Sequence, residues 1–104
     1  MRDALKYWID TINSELGTFN NPEHTLDYLC GFGEDLVLYE LEDKKGIVVC
    51  VIYDDWQGYK VCAEMALYIR PEYRGSVKIF KRLLQNLEYI AQDYGCKYMT
   101  IGAG

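Results

Sequence analysis

The stretch RPEYRGSVKIFKRLL, residues 70–84, is where the chain changes its period. Before it, YKVCAEMALYI (59–69) is a largely apolar run of strand-forming residues, and Pro71 ends that run because proline cannot continue a hydrogen-bonded ladder. After it, Ile79, Phe80, Leu83, Leu84, Leu87, Ile90 and Ala91 recur at helical spacing, while Lys78, Lys81, Gln85, Glu88 and Gln92 face away. This predicts a long helix over 76–94, closed by Gly95. The junction is also basic. Arg70, Arg74, Lys78, Lys81 and Arg82 fall within thirteen residues that contain a single acid, Glu72.

Working outward, KYMTI (97–101) after Gly95 reads as a last strand. A strand, a crossover helix and a strand in one sheet should be parallel and right-handed. Upstream, IVVCVIY (47–53) is apolar on both faces and reads as a central, doubly covered strand. DLVLYELE (35–42) precedes it, with DKKG as a turn whose glycine suits a left-handed residue. The turn DDWQG leads to 59–69, so these three strands should be antiparallel neighbours. At the N-terminus, Leu5, Trp8, Ile9, Ile12 and Leu16 predict an amphipathic helix over 3–16, stopped by Gly17. Asn21 and Pro22 open a second helix that Gly31 can close, with His24 as a solvated or capping residue in its first turn. The order is α-α-β-β-β-α-β, an α+β sheet with helices on its faces.

At 104 residues the chain has room for a single core, so one domain over 1–104 is expected. No apolar run approaches the roughly 20 residues that span a bilayer, and no signal-peptide pattern opens the chain. A soluble, cytoplasmic protein with no membrane partner is the expectation. Cys30, Cys50, Cys62 and Cys96 show no C-x-x-C spacing, and there is one histidine, so buried thiols are expected and no metal. The net charge of −5 is uneven: four basic and eleven acidic residues precede residue 55, seven basic and five acidic follow. A broad basic face is the footprint of nucleic-acid binding, and this chain has none. A compact basic spot suits a small polyanion.

The turn supplies more than charge. The first helical N–H groups lack intrahelical partners and, with the helix dipole, form a ready anion site. Gly75 lets the backbone come close to a ligand, and Arg74 and Lys78 stand beside those amides. A pyrophosphate suits this arrangement.

LYIRPEYRG (67–75) is followed in the helix by Leu83 and Leu84, by Ala91 seven residues later and by Gly95 four beyond that. This pattern resembles the core motif of the GNAT N-acyltransferase superfamily, specifically over 64–102 and by element order elsewhere. The finer likeness is to small phage-type or truncated members. The resemblance implies a GNAT-like fold with acetyl-coenzyme A as acyl donor and no metal. It implies a pyrophosphate on Gly75, Ser76, Val77, Lys78 and Ile79 beside Arg74, and a pantetheine arm along Leu67, Tyr68 and Ile69. An amine of unspecified identity would attack the thioester directly. Glu64, the one charged residue between Val61 and Ile69, is the candidate base, with a solvated strand position or a structural ion pair as the alternative. Alternation places it on one face with Ala66 and Tyr68.

The chain departs from the family pattern in three places. Arg74-Gly75-Ser76-Val77-Lys78-Ile79 lacks the two later small residues of the loop, and Leu83 arrives one residue late. The family's first strand and its C-terminal α-β-β elements are not expected within these residues. The edge at 96–104, which holds the last strand, would then be covered by self-association or by another protein chain. These departures support an alternative function: a catalytically silent GNAT-like binding or structural module, with the virion as its location if phage-encoded.

Overall fold

The computed structural model describes residues 1–101, and its chain divides into two compact units, Met1–Leu36 and Val37–Gly104. In the first, α1 (Arg2–Leu16) and α2 (Pro22–Cys30) pack on each other, and Leu5, Trp8 and Ile9 of α1 and Leu26 of α2 are buried. Gly17 ends α1 in the left-handed conformation, φ 62°. The Asn21 side chain caps α2 by accepting the His24 amide at 3.0 Å. An exposed Arg2–Asp27 ion pair of 2.9 Å joins the two helices. Gly31 closes α2 as expected, its amide donating to the Asp27 carbonyl at 3.0 Å. Its φ of −63° is right-handed, and Gly33 takes the left-handed turn at φ 58°.

The second unit contains the sheet, in spatial order β1 (Leu36–Glu40), β2 (Gly46–Asp54), β3 (Lys60–Ile69), β4 (Tyr98–Thr100). β2 and β3 are antiparallel. The connection from β1 to β2 is far too short for a parallel crossover, which needs a dozen or more residues, so this pair is antiparallel as well. α3 (Val77–Asp93) then carries the chain to β4, which pairs parallel to β3 with Val61, Cys62 and Ala63 opposite Tyr98, Met99 and Thr100. Leu83, Leu87 and Ala91 of α3 form the core with Val48, Cys50, Ile52, Cys62 and Ile69 on one face of the sheet. Phe80, expected on the buried stripe, is instead 45% exposed.

The β1–β2 turn differs from its expected form for a packing reason. Asp43 and Lys44 take the left-handed conformations, at φ 58° and 52°, and Gly46 is the first residue of β2. A Cβ at Gly46 would lie 2.9 Å from the Tyr68 carbonyl oxygen and 3.3 Å from Leu83 Cδ1. Its glycine is thus required by close approach rather than by φ. Two arginines hold the turn. Arg70 donates through Nε to the Lys44 carbonyl at 2.7 Å, and Arg82 grips Glu42 with two bonds of 2.6 and 2.9 Å. The paired guanidinium lowers the Glu42 carboxyl from its ordinary 4.5 to about 2.

Gly46→Ala should lower unfolding free energy by about 1–3 kcal/mol through overpacking against a backbone carbonyl. Gly75→Ala, whose Cβ meets nothing within 4 Å, should stay within about 0.5 kcal/mol of the parent; urea midpoints at constant m decide both. For Glu42, a lowered folded pKa means stabilisation that is present above 4.5 and lost as pH falls towards about 2. The melting temperature of Glu42→Gln should therefore fall below the parent's at neutral pH and converge with it near the acid end. Added salt should narrow the neutral-pH gap, because the pair is exposed.

Candidate functional site

The site begins where β3 ends. The Arg70 carbonyl accepts the Tyr73 amide at 2.9 Å and the Pro71 carbonyl accepts the Arg74 amide at 3.3 Å, closing a single 3₁₀ turn. The Ser76 amide returns to the Tyr73 carbonyl at 3.0 Å. Ser76 then caps α3, its Oγ accepting the Ile79 amide at 3.3 Å. Ser76 and Ile79 therefore already have intramolecular acceptors for their amides. The amides of Val77 and Lys78, the first two residues of α3, have no intrahelical acceptor, and both residues are exposed.

Arg74, though exposed, folds back on the end of the strand. Its Nε donates to the Ile69 carbonyl at 2.8 Å, and its guanidinium carbon lies 5.2 Å from the Tyr68 ring centroid. Tyr68 and Ile69 are buried, Leu67 partly so. The arginine thereby ties the turn to the end of β3. Lys45, from the β1–β2 turn, places its ammonium 5.5 Å from the Tyr73 ring centroid. Gly75 is open: a Cβ added there would meet no atom within 4 Å, and its φ is not positive. Nothing in the fold itself requires glycine there.

The five basic residues of the opening stretch thus divide by role. Arg70 and Arg82 hold the β1–β2 turn, and Arg74 holds the strand end. Lys78 and Lys81 are exposed on α3. Sequence reading recorded the charge cluster but missed that three of its members bond within the fold, because their acceptors are backbone carbonyls and an acid 40 residues away.

Glu64 lies elsewhere on β3, and on the face opposite to the expected one. Cys50 pairs with Glu64 and Val49 with Ala66, so Met65 is an extra residue, a β-bulge. Cross-strand partners share a face. Glu64 therefore sits with Cys50 and Cys62 on the side α3 covers, whereas Ala66 lies with Val49 and Tyr68 with Ile47 on the other. The bulge consumes one position and inverts the alternation. Burial, aided by nearby Cys62, Cys96 and Glu64, pushes the Cys50 thiol well above its ordinary range. Past the bulge β3 runs on to Ile69, while its pairing with β4 ends at Ala63.

Beside β4, Glu88, Ala91, Gln92, Cys96 and Met99 line a groove of about 190 Å³. The expected covered edge at 96–104 extends to residues 102–104, which lie outside the described residues. Among the described residues, no helix is long and apolar enough to cross a membrane, and no group of three or more His, Cys, Asp or Glu residues is arranged to hold a metal ion.

The chain matches the Acetyltransferase (GNAT) family over residues 5–103. No curated protein matches it. Among solved structures it is similar to a glucosamine-6-phosphate N-acetyltransferase from Arabidopsis thaliana, at 15% identity and TM-score 0.69, covering 98% of this chain and 76% of that one. It is similar to a ribosomal-protein-alanine N-acetyltransferase from Brucella melitensis, at 13% identity and TM-score 0.72, covering 99% and 76%. It is also similar to AAC(6')-Iy in complex with the bisubstrate analogue CoA-S-monomethyl-acetylneamine, at 14% identity and TM-score 0.71, covering 98% and 74%. At these identities the structures speak for the fold alone. The match over nearly the whole length of the chain, on a sheet in which α3 joins two parallel strands, places this protein in the GNAT acetyltransferase family.

Proposed function

We propose that the protein is an acetyl-CoA-dependent N-acyltransferase. The observation that carries this is the turn into α3: a capped helix start with the Val77 and Lys78 amides directed outward beside Arg74 and the open backbone of Gly75. A solved structural neighbour, AAC(6')-Iy, holds a CoA-containing bisubstrate analogue, which supports the same donor here. The pyrophosphate lies on the Val77 and Lys78 amides and accepts from the Arg74 guanidinium, with Gly75 permitting close approach and Lys78 adding charge. Ser76 and Ile79 shape this turn through their mutual bond rather than by contacting the ligand. The pantetheine arm follows Leu67, Tyr68 and Ile69 toward Glu64, about 16 Å of extended strand from Ile69. There the amine nitrogen bonds to the thioester carbonyl carbon, the C–S bond breaks with its electron pair leaving on the CoA sulfur, and Glu64 takes the proton lost by nitrogen.

A catalytically silent module is the second reading. It is favoured by the commitment of Arg70, Arg74 and Arg82 to bonds within the fold. A role in a virion would be one form of it.

Calorimetric titration with acetyl-CoA and with desulfo-CoA separates the two: heat from neither leaves the silent module. Arg74→Ala should weaken binding by about 1.5–3 kcal/mol, the worth of a charge-assisted hydrogen bond. Gly75→Val should do comparable damage with little change in stability, since the fold leaves space at that position. Lys81→Ala and Arg82→Ala should matter less, both being beyond the first turn, where the dipole has faded. Equal losses at all four positions would indicate a diffuse basic patch.

We also propose that β4, the outer strand of the sheet, pairs with a strand from a second copy or another chain. Amide exchange along 97–101 should be slower in concentrated than in dilute protein if the partner is a second copy.

A further inference from the structure

The β2–β3 hairpin lies at the opposite end of the sheet from the α3 turn, and it carries an aromatic surface that acyl transfer does not use. Tyr53 pairs with Val61 across β2 and β3, and Val61 pairs with Tyr98 across β3 and β4. Ladder partners share a face, and Tyr59 lies two residues from Val61. Tyr53, Tyr59 and Tyr98 therefore stand on one face, opposite the side on which Cys62 and Met99 meet the α3 core. They are 45%, 39% and 46% exposed, and Trp56, in the hairpin turn, is 92% exposed. The turn is well fixed. The Asp55 carboxylate accepts the Gln57 and Tyr59 amides at 2.9 Å each, the Asp55 carbonyl accepts the Gly58 amide at 2.9 Å, and the Asp55 amide donates to the Tyr59 carbonyl at 2.8 Å.

This surface already receives a cation. Tyr59 and Tyr98 meet edge to face at 5.8 Å, and the Lys97 ammonium lies 3.9 Å from the Tyr59 ring centroid and 5.9 Å from that of Tyr98. Ring faces carry the negative part of an aromatic quadrupole, and tryptophan offers the strongest such face. The charged groups nearby come close to balance: Asp54 pairs with Lys60 in register, Asp55 is held by the turn amides, and Lys97 sits on the ring. Selection therefore rests on the rings, while the net charge of −5 favours a cationic over an anionic partner at long range. We propose that the hairpin end docks a lysine- or arginine-bearing segment of a partner polypeptide, whose cation replaces Lys97 on Tyr59 while a neighbouring part of the segment covers Trp56. The proposal is independent of the acyl-transfer reading.

The test uses the intact chain and two pentapeptides, one containing lysines and one with norleucine in their place. Binding is followed by indole emission, in which Trp56 should respond and buried Trp8 should not, and by NMR shifts of the tyrosine rings. The lysine peptide should bind saturably and the norleucine peptide should not. Lys97→Met should tighten lysine-peptide binding about fivefold by vacating the ring, Tyr59→Leu should weaken it about fivefold, and Tyr59→Phe should preserve it. Raising salt from about 0.1 to 0.5 M should leave most of the affinity, because the contact is short-ranged. Equal binding of the norleucine peptide, no saturable binding of the lysine peptide, or unchanged affinity in both Lys97→Met and Tyr59→Leu would each overturn the proposal. CoA binding, read separately, should be unchanged in all three variants.

Discussion

The close approach of β2, β3 and α3 at Gly46 governs this part of the fold. A glycine there lets β2 start against the Tyr68 carbonyl with Leu83 directly above it. Any side chain would separate the strand from the helix at the level where β3 gives way to its turn. The two left-handed residues before Gly46 are a consequence of the same constraint. The chain must turn sharply after Leu41 to deliver Gly46 to its place, and Asp43 tolerates that conformation better than Lys44 does. The Arg70 bond to the Lys44 carbonyl and the Arg82 grip on Glu42 oppose that local strain by fastening the turn from both sides.

The basic cluster reads differently once those bonds are counted. Positive charge near a helix start invites an anion, yet Arg70, Arg74 and Arg82 each have work inside the fold. An exposed arginine–carboxylate pair adds little to stability by itself. Its value here lies in geometry: Arg82 rises from α3, Glu42 follows β1, and their contact keeps the β1–β2 turn beside the first turns of the helix. Arg74 does the same for the strand end through the Ile69 carbonyl and the Tyr68 ring. On the acyl-transfer reading, anion binding would rest mainly on backbone amides and on Lys78, with the outer part of the Arg74 guanidinium at its edge.

The sequence was most legible where periodicity was long and unbroken. The change at Pro71 from strand to helix spacing and the Asn21 cap left local signatures, and the element order with its parallel last strand followed from that spacing. Single-residue events that depend on distant partners left none. Met65 inserts into β3 without any glycine or proline to mark it, and its insertion moves Glu64 to the face α3 covers. Gly46 looked like a turn glycine because its packing partners, Tyr68 and Leu83, are far along the chain. Phe80 matches the helical stripe in angle, falling between Leu87 and Ala91, but it lies in the first turn of α3, ahead of Leu83, and is exposed there.

An acidic protein that binds a polyanion must do so at short range. Charges separated by more than about 10 Å are largely screened at 0.1 M salt, so the net charge of −5 opposes a phosphate-rich donor chiefly at low ionic strength. On the acyl-transfer reading, attraction at the α3 turn would come from amide dipoles, which act only within the first turn and only while that turn is formed. The Ser76 cap, the Ser76–Tyr73 bond and the packing of Ile79 into the core keep it formed without the ligand. On the acyl-transfer reading, the site therefore depends on the same packing that Gly46 makes possible: displace Leu83 and the helix start moves with it. Fold stability and donor affinity should then be coupled through α3, even though Gly46 itself would touch no part of the ligand.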